Sequence, residues 1–237
     1  MRCASFNVLA DAYIGYGDYS HVDPSLLLPN ARTAGIVQLI DGLGADVVGL
    51  QEVEVPLLSA LDQADNWQIF WSPKGHDEPD GCLTLVKHNI EVGVFNSYSY
   101  SDDSGHVMQT IRIGRVVFAN THLKWAPADS LEHIGVNQAA EMLERIGPNA
   151  SAVIFADCND KPNGPVRRLI ENAGFMNVNG SEPTAIVNQE LVALDLLAVR
   201  GISTRCISGN YNLAGIPNKD CPSDHMPILG DIDIDLT

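Results

Sequence analysis

Residues 152–162 read AVIFADCNDKP, five apolar positions running straight into Asp157, Cys158, Asn159, Asp160, Lys161 and Pro162. A short apolar run rich in β-branched and aromatic residues, closed by turn formers, is a buried strand rather than a core helix. Its polar residues begin where the strand ends, so a carboxylate and a carboxamide are delivered to a sheet edge. The pattern repeats outward in both directions. Glu52 follows DVVGLQ, Asn7 sits inside SFNVLAD, His122 follows VVFANT, Asp195 opens DLLAV, and Asp224 with His225 precedes MPILG.

Strand-like runs bounded by Gly, Pro, Asn or Asp number about ten. They are Arg2–Val8, Asp46–Leu50, Trp67–Trp71, Leu83–Lys87, Val92–Tyr98, Val107–Ile113, Val116–Thr121, Ala152–Ala156, Val192–Val199 and Pro227–Ile234. Apolar residues recur three and four apart in Ala31–Leu43, Pro56–Ala64, Ser130–Ile146 and Val166–Ala173, which predicts helices there. The expectation is an α/β protein, helices coating a strand-rich core, with residues 1–237 forming a single domain. Hydrophobic residues make up 45% of the chain, ample for a large core.

The longest apolar stretches, such as Ala45–Leu50 and Val192–Val199, fall well short of the roughly 18 residues of a membrane span. The opening MRCASFNVLAD reads as a strand and lacks the apolar stretch and cleavage site of a signal peptide, so a cytoplasmic protein is expected. Asn149–Ser151 and Asn179–Ser181 match the N-glycosylation pattern and are read as ordinary loops. Cys3, Cys82, Cys158, Cys206 and Cys221 form no CxxC pair and are odd in number, which sets aside a zinc knuckle and a disulfide scaffold. Thirty acidic residues against fourteen basic ones give a net charge of -16, a poor surface for following a long polyanion. An anionic substrate must be gripped locally, and bound divalent cations can reverse the potential inside one acidic cleft.

The strand-end residues supply what phosphoryl transfer requires. Hard cations take carboxylate and carboxamide oxygens, water needs a positioned base, and phosphate oxygens need donors. Singly, each residue has another reading. Asn7 or Asp157 caps a turn, Glu52 starts the helix near Pro56, His122 and His225 are structural, and Asp195 is satisfied by backbone donors. Their order and context together favour the chemical reading. Lys87, Arg112, Lys124 and Lys161 are the basic residues close to these motifs, and Trp125 stands beside Lys124 as a base-stacking or rim-packing residue.

In order, SFNVLAD, GLQEV, DGCLTLVK, NTHLKW, ADCNDKP, ALDLLAV and PSDHMPI resemble the signature segments of the endonuclease/exonuclease/phosphatase superfamily, the group containing deoxyribonuclease I. They span Ser5 to Ile228. NVLAD, the DGC before the strand ending in Lys87, THLKW before Pro127, and the stretch from Tyr19 to Arg32 are similar to the branch of nocturnin-like deadenylases, Angel proteins and 2',5'-phosphodiesterase. The resemblance implies a four-layered αββα sandwich, two packed β-sheets covered by helices. It implies Asn7 and Glu52 as ligands of magnesium, or manganese in its place, with Asp224 near the metal or its water shell. Asp157 would activate water with help from Asn159, His225 steadied by Asp195 would donate to the scissile phosphate, and His122 would bind a phosphate oxygen. By their charge or ring and their nearness to the motifs, rather than by the resemblance, Lys87, Arg112, Lys124 and Trp125 are expected to contact substrate.

Two departures stand out. Ala156 and Cys158 replace the glycine and aromatic usual around the catalytic aspartate, and Lys124 stands where deadenylase-like relatives carry an aromatic. The second exchanges base stacking for a phosphate contact. The expected activity is hydrolysis at RNA 3' ends or in short oligonucleotides, by an exoribonuclease or a 2',3'-cyclic phosphate phosphatase, without extended duplex binding. Two alternatives stand beside it: a DNA-repair nuclease or inositol/sphingolipid phosphoesterase of the same superfamily, and an inactive binding scaffold.

Overall fold

The computed structural model describes residues 1–127, 133–207 and 215–234. One sheet is built from β1 (Arg2–Asn7), β2 (Val47–Glu54), β3 (Trp67–Pro73), β4 (Asp80–Lys87), β13 (Thr204–Ile207) and β14 (Ile228–Ile232), in the order β13-β14-β1-β2-β4-β3. The other holds β5 (Phe95–Ser99), β6 (Val107–Ile113), β7 (Val116–His122), β8 (Ala152–Asp157), β9 (Met176–Asn177) and β12 (Asp195–Arg200), in the order β5-β6-β7-β8-β12-β9. β10 (Ala185–Val187) and β11 (Glu190–Val192) form a separate hairpin. β1 and β2 are parallel, as are β7 and β8, and every other pairing is antiparallel.

Four helices complete the described layers: α1 (Thr33–Gly42), α2 (Val55–Gln63), α3 (Gly135–Ile146) and α4 (Pro165–Asn172). Ile36, Ile40, Leu57 and Leu61 of α1 and α2 bury against Phe6, Val48 and Leu50 on the outer face of the first sheet. Ala139, Met142, Val166 and Ile170 of α3 and α4 bury against Ala119, Ile154 and Ala198 on the outer face of the second. Cys3, Val47, Phe118, Val153, Phe155 and Leu197 fill the space between the sheets. The layers therefore run helix, sheet, sheet, helix, the expected sandwich, with period-2 alternation sorting each strand's residues to the inner and outer faces.

The sheets approach closely at Gly49, where an added Cβ would lie 2.4 Å from Phe155 Cβ. Above this apolar layer sits a buried belt of carboxamides. Gln51 donates to Asn120 Oδ1 at 2.8 Å, Asn120 donates to the carbonyls of Leu50 and Leu83 across the sheet gap, and Thr84 donates to Gln109. With each donor paired to an acceptor, the belt fixes one sheet against the other.

The sequence reading differs from the structure in places. The predicted strand over Val192–Val199 is two, β11 and β12, because Thr184 Oγ1 takes the amides of both Leu194 and Asp195 and draws the chain out of line between them. The helix predicted from Ser130 begins at Gly135, residues 130–132 lying outside the described residues. The strands β9, β10 and β13, of two to four residues, are too short to carry an alternating pattern. Among the described residues, no helix is long and apolar enough to cross a membrane.

Candidate active site

The two parallel strand pairs end at one rim. Asn7 closes β1, His122 closes β7, Asp157 closes β8, and Asp195 opens the antiparallel β12 opposite Asp157. Alternation explains most of this placement. Phe118 and Phe155 face the inter-sheet core, so His122 and Asp157, an even number of residues further on, face the same way.

Glu52 breaks that rule. It stands two residues beyond Leu50, which faces the helices, and regular pleating would send it outward too. The pairing of β2 with β4 is regular through Leu50, slips, and resumes at Val53. Glu52 takes up the extra residue with φ at 59°, a left-handed conformation that costs a non-glycine residue about 1–3 kcal/mol. The bulge swings its carboxylate into the rim, where Oε1 accepts from Asn7 Nδ2 and Oε2 from Ala10 N, both at 2.9 Å.

Asn7 Nδ2 also donates to Asp157 Oδ2 at 2.9 Å, while Asn7 Oδ1 accepts from Leu9 N. The amide nitrogen thus bridges the two carboxylates. To hold a cation through its oxygen, as its predicted role requires, Asn7 would have to turn that amide over. Asp157 Oδ1 accepts from Asn159 N, and Asn159 Nδ2 donates to Leu123 O. Since a carbonyl only accepts, this contact orients the Asn159 amide, and its nitrogen then also donates to His122 Nε2 at 2.9 Å. The His122 proton consequently sits on Nδ1, which lies 3.8 Å from Glu52 Oε1.

His225 is held differently. Its Nδ1 pairs with Asp195 Oδ2 at 2.8 Å, leaving Nε2 3.8 Å from Asp157 Oδ2 and 4.0 Å from Asp224 Oδ1. Arg167, buried under the rim, donates to Asp195 O at 2.6 Å. The two imidazoles part company electrostatically. Burial, and then the charges of Lys74 and the other histidines, push His122 well below the ordinary histidine range. Burial opposes the charge on His225 as well, but Asp195, Asp224 and Asp157 around it carry it well above that range. His225 is an imidazolium and His122 a neutral ring. Burial raises Asp157, with Asp195 adding to it, and burial raises the Glu52 carboxyl to about 7.

Asn7, Glu52, His122, Asp157, Asn159, Asp195, Asp224 and His225 are therefore gathered at one rim. Lys124 adjoins it, its backbone amide held at 2.8 Å by the buried Gln138, and Trp125 next to it is 62% exposed, with its face free of the core. The register takes Lys87 and Arg112 elsewhere. Lys87 pairs opposite Trp67 and lies over that ring at the far end of β4, and Arg112 pairs opposite Val117 near the start of β7, whereas the rim is at its end. The sequence reading missed Lys74. Its side chain is 3% exposed, with Nζ 2.8 Å from Asp80 Oδ2, and its charge acts on Glu52 and His122. Nothing in SPKG marks this lysine as buried, because its partner is set only by the pairing of β3 with β4.

A sandwich carrying paired carboxylates, one charged and one neutral imidazole, and a buried lysine at a single rim defines a phosphoric ester hydrolase. The chain belongs to the endonuclease/exonuclease/phosphatase family, whose profile matches residues 4–225. It is 21% identical to the Arabidopsis thaliana carbon catabolite repressor protein 4 homolog 4, over 98% of this chain and 77% of that protein. Its fold is similar to that of ANGEL2, a 2',3'-cyclic phosphatase, with a TM-score of 0.83 and 17% identity over 98% of this chain and 94% of that one. It is similar also to the human nocturnin catalytic domain, with a TM-score of 0.75 and 20% identity over 98% and 93% of the two chains.

Proposed function

We propose that this chain, as one catalytic domain, is a magnesium-dependent phosphoesterase acting at RNA 3' ends or on short oligonucleotides. The observation that carries the reading is the setting of Asp157. Its Oδ1 is tied to Asn159 N and its Oδ2 to Asn7, and His122 Nε2 and His225 Nε2 stand 3.7 and 3.8 Å from Oδ2. A carboxylate fixed by neutral donors and raised by burial is suited to take a proton from water.

The donor set fits a hard divalent cation. Carboxylate oxygens of Glu52 and Asp157 lie within 4.8 Å of each other, and the burial that raises the Glu52 carboxyl to about 7 is a cost that a bound cation would offset. Oxygen donors of this kind suit magnesium, for which manganese would be the natural substitute. Such a cation, when bound, would neutralise charge developing on the phosphoryl group. Glu52 would hold it and Asp224 would face its water shell. Asp157 would accept the proton of the attacking water as oxygen bonds to phosphorus. His225, kept charged by Asp195, would donate to a non-bridging oxygen as the P–O bond to the leaving group breaks, and His122 would offer its Nδ1 proton. Lys74 and Lys124 would supply positive charge that the chain as a whole lacks.

The test is turnover with magnesium on a panel of oligoadenylate, 2',5'-linked oligomers, RNA ending in a 2',3'-cyclic phosphate, abasic DNA and inositol phosphates. ANGEL2 is described as a 2',3'-cyclic phosphatase, so the cyclic-ended RNA heads the panel. Preference for an RNA end, lost on chelation, supports the proposal. Preference for abasic DNA or an inositol phosphate, or full activity in excess chelator, defeats it.

A further inference from the structure

The segment that follows the Asn7 strand crosses the rim without burying any residue of its 3-10 turn, Asp11–Tyr16. Polar ties hold it down. Arg32 pairs with Asp11 at 2.6 Å, Tyr13 OH donates to Asp80 Oδ1 at 2.7 Å, Gln189 Nε2 from the tip of the β10–β11 hairpin donates to Asp18 Oδ2 at 2.8 Å, and His21 Nε2 meets Ile216 O at 3.2 Å. One tie reaches the chemistry directly. Tyr19 OH donates to Asp224 Oδ2 at 2.7 Å, and the Tyr19 ring lies so close to Gly17 that an added Cβ there would sit 2.5 Å from it.

We infer that Tyr19 is a positioning residue that decides which oxygen Asp224 presents to the rim. With Oδ2 engaged by the phenol, Oδ1 is the oxygen left toward the site; Ser223 Oγ, whose proton goes to Asn7 O, stands 3.5 Å from it, and His225 Nε2 stands 4.0 Å away. That separation is too long for a hydrogen bond. A carboxylate free to rotate could close that gap and take His225 Nε2 as its hydrogen-bond partner. That nitrogen would then serve Asp224 instead of a phosphate oxygen. The phenol prevents this, and it leaves Asp224 a one-oxygen acceptor for the cation's water shell. The backbone supports the same arrangement, because Ile186 N holds Asp224 O at 2.8 Å, Met226 N holds Thr184 O at 2.7 Å and Ser223 Oγ donates to Asn7 O at 2.7 Å. Asp224 thus has little freedom except about its own side-chain bonds, which is the freedom the phenol removes.

The inference rests on the phosphoesterase reading for its kinetic arm, and metal binding provides an arm independent of it. Tyr19→Phe deletes one hydroxyl and keeps the ring on Gly17. Losing a hydrogen bond to a charged group corresponds to about a tenfold to hundredfold fall in kcat, with KM changed less than about twofold. In the Asp224→Asn background the same substitution should change kcat by less than about twofold, because its effect runs through that carboxylate. Calorimetric titration of both proteins and the double variant with magnesium should show the same pattern, a weakened affinity in Tyr19→Phe that vanishes when Asp224 is already changed. A Tyr19→Phe protein with wild-type kcat and magnesium affinity overturns the inference. So does an equal loss in both backgrounds, and so does a rise in KM alone, which would place the phenol on the substrate. If the wild type turns over no phosphoester, the function proposed above fails, and the magnesium titrations still decide the role of Tyr19.

Discussion

The molecule contains the same chain path twice, β1–α1–β2 in one sheet and β7–α3–β8 in the other, each a parallel pair flanked by antiparallel strands. The first ends in Asn7 and Glu52, the second in His122 and Asp157. The second does so by regular pleating, with Asp157 two residues beyond a core phenylalanine on the same face. The first needs a bulge and a left-handed glutamate to bring its carboxylate to the rim. One architecture thus yields two kinds of carboxylate. Asp157 is held by hydrogen bonds at a strand end, where it is suited to proton transfer. Glu52 is held in strained backbone beside Asn7, where burial, and after it the charge of Asp224, favours filling the site with a cation.

That contrast makes the largest effect fall on the second half. Asp157→Asn there, and His225→Ala in the loop before β14 that brings its ring to Asp157, should each lower kcat by at least about a hundredfold, the scale of a lost general base or phosphate donor, with the thermal transition and circular dichroism preserved. If Asp157→Asn keeps turnover within about threefold of wild type, the division of labour between the halves is wrong, and the same result for His225→Ala removes its role as donor.

For the first half the readout is metal binding and its pH dependence. Glu52 is raised from 4.5 to about 7, so the folded protein retains a proton there that the unfolded chain gives up. The metal-free fold keeps that contribution below about pH 4.5 and loses it, on the order of 3 kcal/mol, as pH climbs through 7. Magnesium should accordingly raise the melting temperature more at pH 8 than at pH 6, since a cation competes with that proton. Glu52→Gln should abolish the magnesium response and make the metal-free protein more stable at pH 8, both read by differential scanning fluorimetry. A magnesium shift equal at the two pH values would detach the cation from Glu52.

The contact between the halves can be tested at Gly49. Gly49→Ala places a methyl against Phe155, and overpacking of this kind should cost about 1–3 kcal/mol in chemical denaturation. A neutral substitution would mean that the sheets can separate freely, and that the rim depends less on their spacing than the carboxamide belt implies.

The smallest effect concerns the acidic exterior that both halves share. With a net charge of -16 and few cations near the rim, Lys74 and Lys124 among them, binding should involve about one to three phosphates. At saturating magnesium, the slope of log affinity against log salt for a catalytically silent variant should stay shallower than roughly -2, and a twenty-mer RNA should bind hardly more tightly than a trinucleotide. A slope steeper than about -4 would reveal an extended basic track.

The order of amino acids was enough to place the elements that local chemistry controls. AVIFAD and VVFANTH carry both their strand character and, through a period of two, the face on which Asp157 and His122 emerge. The spacing of apolar residues located the four helices to within a few positions, and the ordered motifs carried the family and the cluster of Asn7, Glu52, Asp157, Asp195 and His225. The remaining features arise in the packed fold, because they depend on which strand lies beside which. Register carried Lys87 and Arg112 to the far ends of their strands and brought Lys74 against Asp80. The slip between β2 and β4 turned Glu52 inward against its own periodicity. Meetings across the fold set the protonation of the site: Asn159 assigns the His122 tautomer, Asp195 charges His225, and Tyr19 reaches Asp224 from 205 residues away. Contacts between residues so distant in the chain leave no local pattern, since each side chain's partner is supplied by packing of the two sheets and not by its neighbours in sequence.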